Sequence, residues 1–302
     1  MRKPPPLSQF IHFPLTAGLC LLAIGTTIAW RTGHSIEPLT MSGLHLLDQP
    51  WRMVLSIFPH VDVFHLLFNI YWTWVFGTLL ERQLGPLKLA LIVIVLAAGS
   101  GTAELAVLSG GVGLSGVGYG FFGMLWAMRR DPRFADAIDT RTIQTFVGWF
   151  LLCILLTVMK TLPVANVAHG AGAALGAIIG WIIVSPARRR PMAIAALAGS
   201  LAVIFLAATM LRPLVNFSDD AGAEYVNAGC DALRAKHPQE ALRLLQTATR
   251  FRSEDGYGWY NMGVAYERLG DEPKALQCFQ EAVRLAPGED DFQKALQKLR
   301  PG

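Results

Sequence analysis

Seven runs of apolar residues, near positions 13–30, 61–80, 87–107, 113–128, 142–160, 167–184 and 192–211, constrain this chain more than any other feature. About 20 residues of helix at about 1.5 Å per residue cross roughly 30 Å of hydrocarbon. Within hydrocarbon the backbone must satisfy its own polar groups, which makes helices the spanning form for runs of this kind. Composition agrees: 53% of the 302 residues are hydrophobic, 16% are charged and the mean hydropathy is +0.40, whereas ordinary soluble domains carry about 25% charged residues. The expected fold class is all-α, a polytopic membrane bundle of seven helices followed by a soluble helical domain. The run at 113–128 is short and rich in glycine, which suits a helix buried among its neighbours.

Orientation follows from the cations, because cytoplasmic loops carry the excess of Lys and Arg. With the N-terminus inside, the cytoplasmic segments hold Arg2, Lys3, Arg82, Lys88, Arg129, Arg130, Arg133, Arg141, Arg188, Arg189 and Arg190, and the opposite loops hold only Arg31, Arg52 and Lys160. Seven crossings then place the C-terminal domain outside the cytoplasm, with a bacterial inner membrane the expected location. The net charge of +4 and pI near 9.0 are accounted for by these loops, so no nucleic-acid surface is expected. The first run lacks a small-x-small cleavage signature and is followed by further spans, so it reads as a retained helix rather than a signal peptide. Cys20 and Cys153 sit in spans while Cys230 and Cys278 stand singly in the tail, a distribution of packed thiols rather than a disulfide framework.

After Arg212-Pro213 charged residues become frequent and a 34-residue self-similarity emerges between about 225 and 290. Trp259, Met262, Gly263, Tyr266, Ala275, Phe279, Ala282 and Pro287 follow the tetratricopeptide (TPR) pattern, and Tyr225, Gly229, Ala241, Leu245 and Ala248 echo it one period earlier. Each unit predicts two antiparallel helices, with small residues admitting close approach and aromatics filling the groove. Two repeats are fewer than the usual stable minimum, so Phe292 to Leu299 is expected to form a capping helix, or another surface must cover the open face. A peptide or protein ligand of the repeats is the expected partner, a bare helical spacer the alternative.

Two polar groups inside spans demand a reason, since such residues are costly there. Ser115 lies in Gly113-Leu114-Ser115-Gly116-Val117-Gly118-Tyr119, and His169 follows 54 residues later in Ala168-His169-Gly170. The arithmetic of crossings puts both toward the outer ends of the fourth and sixth spans, in one leaflet. Gly116, Gly120 and Gly123 on one span and Gly172, Gly176 and Gly180 on the other form small faces of the kind that bring membrane helices together, near enough for a Ser–His hydrogen bond. Tyr119, one turn from Ser115, is placed to pack against the imidazole. On the second span His60, His65 and Asn69 cluster at the outer end, His65 and Asn69 being four apart and on one face. By themselves these suit interhelical hydrogen bonding. The histidines lack the spacing of a metal site and have no nearby intramembrane Cys or carboxylate to complete one, so neither a metal nor a cofactor is expected. The nearest acidic residues, Glu104 and Asp62, neighbour neither Ser115 nor His169 in sequence, which favours a two-residue system over a triad.

Taken in order, these residues resemble the rhomboid family of intramembrane serine proteases over roughly residues 50 to 184. Trp51-Arg52 is similar to the family's first-loop signature, and His60 with His65-Leu66-Leu67-Phe68-Asn69 to its second helix. Glu81-Arg82-Gln83-Leu84-Gly85 is similar to its cytoplasmic turn, Gly113-Leu114-Ser115-Gly116 to its nucleophile motif and Asn166-Val167-Ala168-His169-Gly170 to its base motif. The resemblance implies a six-helix catalytic bundle, with Ser115 as nucleophile and His169 as general base and acid. It also implies an oxyanion hole from His65 and Asn69 with the Ser115 backbone, and cleavage of membrane-spanning substrates that enter laterally past the fifth helix. The expected organisation is a cytoplasmic segment 1–12, a six-helix core 13–186, a seventh helix 187–212 and the repeats 213–302. Hydrolysis needs water, so these residues should line a cavity open to the outer side, bordered by Trp51-Arg52. Substrates should carry helix-weakening Gly or Pro near the cut, because a paired helix backbone resists attack. The rival readings are a catalytically silent scaffold that binds transmembrane helices, with the repeats as adaptor, and a proton-conducting transporter. The retained Ser115 and His169 speak against the first. The absence of paired ionisable groups at mid-membrane speaks against the second.

Overall fold

The computed structural model describes residues 4–218, 220–251 and 255–299; Arg2 and Lys3, part of the charge argument, lie outside them. The described residues are helical and loop, and they divide into two compact units, Met1–Arg212 and Pro213–Gly302.

The first unit contains α1 (Pro14–Arg31), the one-turn α2 (Arg52–Leu55), α3 (Val63–Leu84), α4 (Pro86–Val107), α5 (Ser115–Met128), α6 (Thr140–Val158), α7 (Asn166–Val184) and α8 (Arg190–Ala208). Six of them, α1, α3, α4, α6, α7 and α8, are long and apolar enough to cross a membrane. The fourth sequence span differs. Its helix α5 has 14 residues, about 21 Å of rise, shorter than the roughly 30 Å of a hydrocarbon core. It can be short because it is interior: ten of its residues are buried, among them Val117, Tyr119, Phe121 and Met124. The seven runs read from hydropathy thus become six long apolar helices and, in the fourth place, one shorter interior helix. At the other extreme α8, the most apolar of the set, buries only Ala193 and Ala208, and α6 only Thr142, Phe146 and Cys153. Uniform apolarity without burial is what a lipid-facing helix requires.

Helix ends are closed by carboxylates, since a terminus in or near hydrocarbon cannot leave its amides to water. Asp62 caps α3 by accepting from the His65 N–H at 2.8 Å, and Asp139 caps α6 through Thr142 at 2.8 Å. Neither α1 nor α7 carries a capping side chain of its own. For α1 the buried Glu81 of α3 supplies one, accepting from the N–H groups of Leu15 (3.0 Å) and Thr16 (2.8 Å) and from the Thr16 hydroxyl (2.6 Å). For α7 the cap is Glu104 of α4, which accepts from the Ala168 N–H. Between α3 and α4 the chain reverses at Gly85, whose φ of 81° suits glycine, and Pro86 then opens α4.

After the one-turn α9 (Arg212–Val215), the second unit contains α10 (Ala223–Arg234), α11 (Pro238–Phe251), α12 (Gly256–Arg268), α13 (Glu272–Leu285) and α14 (Asp290–Leu299). They form two helical hairpins and a closing helix. Gly229 and Gly263, one repeat apart, occupy equivalent contacts: a Cβ would stand 2.6 Å from Leu245 at the first and 2.6 Å from Phe279 at the second. Helix α14 buries Phe292 and Leu296, with Phe292 stacked on Tyr260 at 4.8 Å, so it covers the open side of the second hairpin. All four cysteines are free, and burial pushes the Cys278 thiol up to about 11, as for a packed rather than a reactive group.

Candidate active site

Ser115 is the first residue of α5, at the end of a loop with two left-handed glycines, Gly110 (φ 92°) and Gly113 (φ 115°). Its placement is enforced by the residues before it. The Gly113 N–H donates to the Ser56 carbonyl at 3.1 Å and the Leu114 N–H donates to His60 Nε2 at 3.2 Å. His60 is fully buried, its own N–H donates to the Thr27 hydroxyl at 3.1 Å and its Nδ1 lies 2.9 Å from the Phe58 carbonyl. An imidazole that accepts at Nε2 and faces a carbonyl at Nδ1 is neutral with its proton on Nδ1. His60 is thus a strut holding the loop that presents Ser115. His65 meets the same loop from the other side. Its ring lies 4.9 Å from that of His60, and a Cβ on Gly113 would stand 2.7 Å from His65 Cε1, so a side chain there would displace the imidazole as well as strain a φ of 115°.

His169 comes from the first turn of α7. It is 4% exposed, and its Nε2 lies 2.8 Å from Ser115 Oγ. The Tyr119 ring stacks on the imidazole at 4.6 Å with an interplanar angle of 22°, and the Tyr119 hydroxyl donates to the Phe146 carbonyl of α6 at 3.2 Å. The two helices approach through glycine. A Cβ on Gly172 would collide with the Gly116 carbonyl and one on Gly176 with the Gly120 carbonyl, so the backbones touch directly. Among the described residues His169 Nδ1 is buried with no hydrogen-bond partner.

Residues 47–186 match the Rhomboid domain, and residues 256–289 match the tetratricopeptide repeat. The chain is 33% identical over 136 residues to the "Rhomboid protease GlpG" of Yersinia pseudotuberculosis serotype I (strain IP32953) and of Yersinia pestis (strain Pestoides F). It is 33% identical over 135 residues to that of Serratia proteamaculans (strain 568). The chain carries a rhomboid domain. With its apolar helices, that makes it an integral, multi-pass membrane protein. The aligned segment covers 44% of this chain, and the chain spans about half the length, 48%, of the curated relatives it matches. The repeat match falls on α12 and α13, the second of the two hairpins.

Within the rhomboid domain the residues singled out from sequence are distributed unequally. Ser115, His169, Tyr119, Gly113, Gly116, His60 and His65 converge on one region. Asn69 is buried on α3, its amide donating to the His65 carbonyl at 3.0 Å. Arg52 is also buried, its Nε donating to the Gln49 side chain at 2.7 Å and its Nη1 to the Glu37 carbonyl at 2.8 Å. It knits the loop between α1 and α3, while Trp51 is half exposed. A cavity of about 20 Å³ behind Ser115 is lined by Ser56, Ser100, Glu104, Gly113 and Ala168, and an apolar one of about 110 Å³ beside His169 by Tyr119, Phe122, Phe146 and Phe150. Sequence reasoning set Glu104 aside as distant along the chain. In the fold it reaches the residue preceding His169, Oε2 accepting from the Ala168 N–H at 2.8 Å. The available signal was a carboxylate inside a spanning helix.

Proposed function

We propose that this protein is an intramembrane serine endopeptidase that cleaves transmembrane substrates near the outer membrane face through a Ser115–His169 dyad. The observation that carries the reading is the 2.8 Å separation of Ser115 Oγ and His169 Nε2 inside a membrane bundle. At that distance His169 takes the hydroxyl proton as Ser115 attacks a peptide carbonyl, then delivers it to the leaving amine. The acyl-enzyme ester remains, and a water activated by the same imidazole hydrolyses it to a carboxylic acid and free Ser115. The negative charge on the carbonyl oxygen is met by the Ser115 N–H, which as the first of α5 has no intrahelical acceptor, and by Asn69 and His65. Each such donor contributes about 3 kcal/mol.

The sparse burial of α6 favours lateral access of substrate past that helix. Of the eleven cations assigned to the cytoplasmic side, the described ones fall at the C-terminal ends of α3, α5 and α7 and the N-terminal ends of α4, α6 and α8, which favours a cytoplasmic placement of those ends. The repeats then lie outside the cytoplasm, where they bind a peptide or protein segment. The test is cleavage of a membrane-spanning reporter in vesicles. Ser115→Ala and His169→Ala each lower kcat on the order of 10⁴-fold or more without loss of folding, and a fluorophosphonate labels Ser115 alone. Undiminished cleavage by either variant refutes the assignment.

A further inference from the structure

The imidazole of His169 has an unusual lack of fixings. In serine hydrolases with a triad, a carboxylate on Nδ1 sets the ring's tautomer and orientation. Among the described residues Nδ1 is buried without a hydrogen-bond partner, and the ring is held by Ser115 at one edge and by the Tyr119 face. Ring orientation therefore depends on where the backbone of α7 holds residue 169. That backbone is at its weakest point, because His169 closes the first turn and the amides just before it have no intrahelical acceptor. The first internal bond of this turn, from the His169 N–H to the Ala165 carbonyl, is 3.2 Å long, and Ala165 offers no side chain as a cap.

Glu104 supplies what α7 lacks. Its carboxylate is 2% exposed, projects from the last turns of α4 and accepts the N–H of Ala168 at 2.8 Å and that of Val167. Those are the second and third residues of α7, the positions an N-cap side chain serves. The carboxyl oxygens of Glu104 also face the positive end of the helix dipole. We infer that Glu104 is a positioning residue for the dyad: it acts in trans as the N-cap of α7 and thereby holds His169 in register with Ser115, in place of a carboxylate on the imidazole itself. It does not touch substrate, and its effect passes through the Val167–Ala168 backbone.

This inference rests on the protease reading, so the same assays include Ser115→Ala, whose undiminished cleavage refutes that reading and leaves nothing for Glu104 to position. Three variants of the full-length protein in vesicles test Glu104 itself. Glu104→Ala removes the acceptor, Glu104→Asp keeps the charge but withdraws the oxygens by one methylene, and Glu104→Gln keeps a carbonyl oxygen at the original reach. A misplaced base costs about 10²-fold, so kcat and the rate of Ser115 labelling by a fluorophosphonate fall together by that amount in Ala and Asp, with KM unchanged. Glu104→Gln returns most of both rates. If Glu104→Ala does not fold, the Asp and Gln pair decides alone. Wild-type labelling by the Asp variant, an effect confined to KM, or a Gln variant as impaired as Ala overturns the inference while Ser115→Ala stays inactive.

Discussion

His60 illustrates how a single buried side chain can matter without doing chemistry. From sequence it sits among polar residues at the outer end of the second span, and a histidine there invites a role in proton transfer. In the fold both its ring nitrogens are engaged with backbone, at Leu114 and Phe58, and it is fully buried. Removing it orphans the Leu114 N–H in a dry interior, which costs about 1–3 kcal/mol. We expect His60→Ala to lower the unfolding midpoint in detergent accordingly and to slow fluorophosphonate labelling of Ser115, whereas His60→Gln, which retains an acceptor, loses less of both. A His60→Ala protein with unchanged stability would mean that the strut is dispensable.

Among elements, the contact between α5 and α7 decides whether a dyad can exist. Ser115 and His169 lie on different helices, and their separation is set by how closely the two backbones approach. Glycine at 116, 120, 172 and 176 leaves carbonyls in direct contact with the facing Cα positions. Inserting methylenes into such a contact costs about 1–3 kcal/mol and forces the backbones apart. Gly176→Val is therefore expected to lower the unfolding midpoint and to abolish cleavage, although it lies nearly two turns from His169. Gly199 on α8 provides the control, since nothing lies within 4 Å of a Cβ there. Gly199→Ala should change stability by no more than about 0.5 kcal/mol and leave kcat intact. Equal effects of the two substitutions would show that helix contact is not what positions the pair.

For the whole molecule, the division at Arg212 separates the membrane bundle from the repeats. The bundle closes its own last helix: buried Arg212 donates from Nε to the Leu105 carbonyl at 3.0 Å, placing a cation at the C-terminal end of α4, where the helix dipole favours one. The candidate site draws on α3, α4, α5 and α7, all within the first unit. Removal of residues 214–302 is accordingly expected to leave cleavage of a minimal spanning reporter undiminished in kcat, while any dependence on the repeats appears only with substrates carrying a segment for them to bind. A folded truncation with no activity on the minimal reporter would make the repeats part of the enzyme.

The sequence alone determined what repeats along a helix or a strand of chain. Apolar runs of spanning length marked the membrane helices, a 34-residue period marked the repeats, and serine and histidine among glycines stood out because polar groups in hydrocarbon are costly. Even the interior place of α5 was legible, in the shortness and glycine content of residues 113–128. What it left open were relations between elements far apart in the chain. Glu104 and Ala168 are 64 residues apart, His60 and Leu114 are 54 apart, and no periodicity links either pair. Hydrophobic patterning records which side of a helix is apolar but not which neighbour that side meets or at what height. Only packing in three dimensions, where backbones touch at glycine and a carboxylate from α4 closes the start of α7, decided those contacts.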